Sequence, residues 1–243
     1  MTEKPIDLNK LDQPLPILMI LTIPILGFFF IAALVFPAAG DWRWANGWVF
    51  VITFAINIAV SYMIINKTNP RVIRNRSKLR KSGLTKDTRQ AASSDRFIYP
   101  LITFCLLGEV ILSGLGHRFD WYTLPFAIAI IGVVIMNGGL ALMNIATLQN
   151  SFASKILDIN QDQVLVDTGL YSQVRHPLYA GGIIMFLSIP IALGSLWGVI
   201  PALLSAFLLV IRIEFEEVML VKGMEGYEDY QSRVKYKLIP KIY

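Results

Sequence analysis

The sequence predicts an all-α, polytopic integral membrane bundle of about six transmembrane helices, the last two forming a hairpin. Three observations carry this. Hydrophobic residues make up 55% of the 243 residues and charged residues only 16%, against roughly 25% charged in an ordinary soluble domain. Mean hydropathy is +0.56, so too few polar groups exist to cover a soluble surface of this size. The apolar residues also fall into blocks near the ~20 residues needed to cross a bilayer core. Soluble, disordered and collagen-like classes are excluded.

The blocks run, in order, from Leu15 to Phe36, Trp48 to Ile65, Phe97 to Leu115, Trp121 to Leu148, and Gly181 to Ile213. The fifth is too long for one helix at 1.5 Å rise per residue. Its centre reads Gly194-Ser195-Leu196-Trp197-Gly198, a tight turn between two helices with Trp at interface depth. The N-terminal Met1 to Gln13 carries Glu3, Asp7 and Asp12, unlike the basic-then-apolar order of a cleaved signal peptide.

Charge sets the orientation. With a cytoplasmic N-terminus and six alternating helices, 20 of the 22 Lys and Arg fall on the cytoplasmic side, leaving Arg43 and Arg118 outside. The positive-inside rule is then met at every loop. Both termini and any polar chemistry are expected on that face. The net charge of +5 accordingly reflects topology, and no nucleic-acid partner is expected. The basic loop 66–96 reads as an orientation signal that attracts anionic headgroups, with a lid or a lipid-substrate contact as the alternative.

The single Cys105 and two histidines argue against a metal site. Gly138-Gly139 is expected to let helices approach closely. Glu109 sits mid-membrane, where a carboxylate is costly unless paired or neutral. Asn137 and Asn144, seven residues apart, share one helix face. Interhelical hydrogen bonding is the first reading of these three, and the lining of a cavity that reaches the cytoplasmic site the second. Membrane carboxylates and lysines are too few for an ion pathway, which makes a transporter a weak reading.

The stretch from Asn150 to Tyr243 carries the chemistry. Pro177 suits the first turn of a helix, which puts His176 at its cap beside the positive helix end, a place suited to a carboxylate or phosphate. Arg212, Glu216 and Leu220 follow i, i+4, i+8 spacing and form one stripe. Since the hairpin returns to its starting face, this stripe can approach His176 and Tyr179. Gly169-Leu170-Tyr171, Arg175-His176-Pro177 with Tyr179 and Gly181, and Glu216-Glu217 with Tyr227, Tyr230 and Arg233-Val234 together resemble the isoprenylcysteine carboxyl methyltransferase family. These are integral membrane methyltransferases related to the phospholipid methyltransferases. The resemblance covers about the last 95 residues. Leu170 stands where many members have proline, and Gln163 where many have histidine.

The resemblance implies methyl transfer from S-adenosylmethionine, bound in a cytoplasmic C-terminal pocket, to a lipophilic or lipidated acceptor reached from the membrane lipids. A carboxylate, as in isoprenylcysteine carboxyl methylation, is one candidate acceptor. By position, Gln163, Val164, Leu165, Val166, Tyr171, His176, Pro177, Leu178, Tyr179 and Glu216 fall where the family holds its cofactor, and Arg212 where it places a substrate-facing arginine. Arg212 and Glu216 are the expected catalytic pair. The chain is expected to divide into N-terminal membrane helices, 1–148, and a methyltransferase core, 149–243. The residue types suit this chemistry on their own terms. A methyl sulfonium is already activated, so transfer needs alignment, desolvation and charge complementarity. Two other classes compete. The ending from Val234 to Tyr243 also resembles NADPH-dependent membrane sterol reductases, and a non-catalytic membrane scaffold would keep the same helices.

Overall fold

The computed structural model describes residues 13–70, 72–73, 86–150 and 164–243, with side chains described from Asp95 onward in the second long helical block. Among these residues the chain is helical throughout, with no named strand. We label the helices α1 (Ile17–Ala39), α2 (Ala45–Thr68), α3 (Lys86–Arg118), α4 (Phe126–Gln149), α5 (Pro177–Ala192), α6 (Val199–Gly223) and α7 (Tyr227–Arg233), with a 3₁₀ turn at Gly169–Ser172. Residues 71 and 74–85 of the 66–96 loop and all of 151–163 lie outside the described residues, Gln163 among them.

Among the described residues, four helices are long and apolar enough to cross a bilayer: α1, α2, α3 from Asp95 to Arg118, and α4. The other two of the six expected spans are the hairpin arms. α5 has 16 residues, about 24 Å at 1.5 Å per residue. α6 has 25, but its uncharged stretch ends at Ile211, and Arg212, Glu214, Glu216 and Glu217 follow. Length and composition therefore mark four spans, and the hairpin is the shorter remainder.

The helices close a ring in the order α1, α2, α4, α5, α6, α3, with α4 on α5 and α3 on α6 the most extensive contacts. Gly139 and Gly181 make the first of these possible. A Cβ on Gly139 would lie 2.8 Å from the Gly181 carbonyl oxygen, and one on Gly181 would lie 2.7 Å from that of Gly139. Backbone meets backbone here, as small residues permit between membrane helices. Gly138 faces open space, so only Gly139 of the pair has the expected packing role.

The hairpin turn is as the sequence predicts. Gly194 adopts φ +72°, and a side chain there would collide with the Asn46 amide, so glycine is required. The turn pairs with the α3–α4 connection through the Leu124 N–H, which donates to the Gly194 carbonyl at 2.8 Å. Exposed Trp42, Phe119, Trp121, Tyr122 and Trp197 gather at this end, matching the aromatic belt of a membrane interface.

The polar groups inside the bundle gather in two separate places. Asn57 on α2 donates to Asn137 at 3.1 Å, and Asn144 donates to Ser61 and, at 3.4 Å, to Asn57. Asn57, Ser61 and Asn144 also line a cavity of about 260 Å³ between α2 and α4. The interhelical hydrogen bonding expected of Asn137 and Asn144 is thus present. Glu109 is fully buried and accepts from the Ser205 hydroxyl on α6 at 2.9 Å, joining a different pair of helices.

Candidate active site

The site is assembled at the end of the hairpin opposite its turn. His176 is the N-cap of α5, with Pro177 in the first turn, where the fixed φ and the missing N–H of proline cost nothing. The C-terminal segment holds this turn from outside. Arg175 N–H donates to the Tyr236 carbonyl at 2.9 Å, and His176 N–H to that of Lys237 at 2.8 Å.

Beneath the turn lies a buried ionic cluster centred on Glu217. Arg175 reaches its two carboxylate oxygens through Nε at 2.8 Å and Nη2 at 2.9 Å. His176 Nε2 stands 2.7 Å from Oε1, Tyr227 donates its hydroxyl to Oε1 at 2.9 Å, and the Gln231 amide donates to Oε2. Arg175 also donates from Nη1 to the Val234 carbonyl at 2.6 Å. Burial by itself raises the Glu217 carboxyl, but the bonds from His176 and Arg175 outweigh it and hold the group well below the usual carboxylate range. Burial, then the adjacent Glu217 charge, pushes the Tyr227 hydroxyl far up, so it stays a donor throughout the working pH range. A buried charge needs a partner and full hydrogen bonding, and Glu217 has both.

A second cluster adjoins the first, with the rings of His176 and Tyr179 5.6 Å apart. Tyr179 donates its hydroxyl to half-buried Glu216. Above its ring lies the Arg212 guanidinium at 5.6 Å, which sits at the same distance from Tyr99 on α3. Arg212 is itself bound to Asp95, through Nε to Oδ1 at 2.7 Å and Nη2 to Oδ2 at 3.0 Å. Both partners are buried.

Of the residues singled out from sequence, His176, Pro177, Tyr179, Arg212 and Glu216 come together here. Leu178 lies half-buried in the same first turn. Tyr171 is placed behind it, its carbonyl accepting from the Tyr230 hydroxyl at 2.7 Å. Leu165 packs on the small core of Leu220, Tyr227, Tyr230 and Val234, with Val166 half-buried and Val164 exposed. Gln163 is outside the described residues. Sequence reasoning missed the weight of Arg175 and Glu217, which stand beside the chosen His176 and Glu216, and it missed Asp95 and Tyr99 altogether.

The comparisons bear on this half of the chain. Residues 126–225 match the family described as phospholipid methyltransferase. The matched segment runs from the start of α4 past the end of α6 and contains both clusters except Asp95, Tyr99, Tyr227, Gln231 and Val234. The likeness to phospholipid methyltransferases expected from the sequence has this match behind it. The chain is also similar to the solved structure of the eukaryotic intramembrane Ras methyltransferase, isoprenylcysteine carboxyl methyltransferase. The two share 19% identity over 93% of this chain and 85% of the other, with a TM-score of 0.46. Among curated proteins, none matches by sequence.

Proposed function

We propose that this phospholipid methyltransferase-like chain transfers a methyl group from S-adenosylmethionine to a lipophilic acceptor embedded in the membrane, with a carboxylate as the leading candidate. One observation carries the reading. Arg175, His176, Tyr179, Arg212, Glu216 and Glu217 form one connected, largely buried cluster inside the matched segment.

The residues fit such a cofactor. Glu216 is a half-buried carboxylate suited to an ammonium, and the ring of Tyr179 is suited to a sulfonium. The first turn of α5, at Pro177 and Leu178, suits a carboxylate. Val164, Leu165, Val166 and Tyr171 would supply the neighbouring wall, with Gln163 beside them in sequence. When bound, the cofactor supplies an activated methyl group, so the protein has to align and exclude water. Arg175 and Glu217 do the first part of this by locking the α5 cap to α6. Arg212 would orient the acceptor, since a guanidinium recognises a carboxylate through two parallel hydrogen bonds.

The charge distribution supports six crossings, with both termini and this pocket cytoplasmic. In this arrangement residues 149–243 are the methyltransferase core, and 1–148 frame it and give it access to membrane lipids. Titration of purified protein in neutral detergent with S-adenosylmethionine and, separately, NADPH tests the reading. Binding of the first alone is expected. Binding of NADPH alone would establish the reductase class, and binding of neither a non-catalytic scaffold.

A further inference from the structure

We infer that Asp95 holds the place of an acceptor carboxylate at Arg212, so that an acidic acceptor enters by exchange with Asp95. This rests on the methyl-transfer reading above and adds how the acceptor is admitted. Asp95 comes from α3, outside the segment that matches the family. It nevertheless engages the one arginine on the inward stripe of α6, in the two-bond geometry that a carboxylate ligand adopts. Tyr99, one turn further along α3, and Tyr179 each place a ring 5.6 Å from the guanidinium carbon. The cation is therefore oriented by two rings on different helices, and the orientation does not depend on Asp95 alone.

Charge balance decides between exchange and simple addition. Asp95 already neutralises Arg212, and Glu216 stands on the other side of Tyr179. A second carboxylate added to this buried cluster would face two anions with one cation between them, and like charges in such a place disfavour ionisation. If the incoming carboxylate replaces Asp95 on the Nε and Nη2 edge and Asp95 turns out to water, the number of buried anions beside Arg212 is unchanged. No further charge is then left unpaired in the interior, the condition that is severely destabilising. Asp95 thus acts as a specificity-determining group. It admits acceptors able to take over a two-bond carboxylate contact and holds the arginine paired between turnovers.

The inference predicts that Asp95→Asn leaves Arg212 without its anion and makes the protein dependent on an added one. Thermal unfolding of the full chain in neutral detergent would be followed with dodecanoate, dodecylamine or dodecanol present below micellar concentration. Dodecanoate is expected to raise the midpoint of Asp95→Asn by several degrees more than it raises that of the parent. Neither the amine nor the alcohol should do so, and the double variant Asp95→Asn with Arg212→Gln should lose the response. An equal dodecanoate shift in parent, single and double variants would overturn the inference, as would no shift in the single variant. Should Asp95→Asn fail to fold, hydrogen exchange on the parent decides. Amides from Asp95 to Tyr99 should exchange faster with dodecanoate and not with dodecylamine, and unchanged exchange would overturn it. The cofactor titration involves no carboxylate amphiphile, so failure of the methyl-transfer reading would be seen separately.

Discussion

Arg175 and Glu217, 42 residues apart in the chain, meet through two parallel hydrogen bonds of 2.8 and 2.9 Å. This pair ties the loop before α5 to the far end of α6, and with His176, Tyr227 and Gln231 it fixes the floor of the site. Glu217→Gln should cost about 3–5 kcal/mol, because removing one charge leaves its buried partner uncompensated. Denaturation of the parent and the variant in the same detergent measures it.

The same group gives a pH dependence with a definite sign. Glu217 is held below its unfolded value, which lies at about 4.3 for glutamate. Its contribution to stability is therefore complete above that unfolded value and is lost as pH falls through the folded one. The parent's unfolding midpoint should begin to drop below about pH 4. Glu217→Gln should start lower and lack that part of the acid slope. Parallel slopes in the two proteins would show that Glu217 is not the titrating group.

Glu216 and Glu217 are neighbours in sequence with opposite expected phenotypes. Glu216 is half-buried and holds the Tyr179 hydroxyl, so Glu216→Gln should fold and bind S-adenosylmethionine about tenfold or more weakly, as loss of a charged hydrogen bond predicts. His176→Ala should weaken cofactor binding and also lower the melting midpoint, since its imidazole contacts Glu217. Calorimetry and thermal unfolding, run together, separate the two effects.

Arg212→Lys distinguishes an oriented guanidinium from a mere positive charge. Lysine keeps the charge but cannot make the two-bond contact or stack between Tyr99 and Tyr179 in the same way. The variant should keep S-adenosylmethionine binding and lose most of kcat/KM for methyl transfer. Parental turnover would leave Arg212 no role beyond charge. Lost cofactor affinity would put it in the cofactor's binding shell.

Topology is testable with cysteine probes read by a membrane-impermeant thiol reagent. The native Cys105 is buried and should stay unlabelled. Tyr122, exposed beside the aromatic belt, and Ser232, exposed on α7, lie at opposite ends of the hairpin. In intact cells Tyr122→Cys should be labelled and Ser232→Cys should not. The reverse pattern would move the active site to the outer face.

Local signals made much of this architecture legible. Apolar blocks locate the helices, Gly194 to Gly198 locates the turn, and His176-Pro177 locates a helix start, because each depends on residues close in sequence. The stripe of Arg212, Glu216 and Leu220 correctly points α6 inward at Arg212 and Leu220. The Asp95–Arg212 pair spans 117 residues and joins two helices whose contact no periodicity reveals. The difference between Glu216 and Glu217 is equally invisible in sequence. Both lie near the inward face, and only the positions of Arg175 and Tyr227 decide which one is consumed. The outer ends of the hairpin arms are less legible, because they run beyond the apolar block, from Pro177 before it to Gly223 after it.

The contact between α4 and α5 gives a prediction with its own control. Ala at Gly139 or Gly181 would drive a methyl group against backbone of the facing helix, and overpacking of this kind costs about 1–3 kcal/mol. Ala at Gly138, which faces open space, should be neutral or stabilising by up to ~1 kcal/mol through helix propensity. Unfolding midpoints of the three variants check this directly.

That contact also affects how a survey of the protein by systematic replacement with alanine would read. Such surveys treat alanine as silent and a loss of activity as the mark of a deleted functional group. At Gly139 and Gly181 alanine adds a group, so both positions would score with the reactive residues although neither carries a side chain. The map would then draw the candidate site too deep in the bilayer, by the distance from the α5 cap down to Gly181.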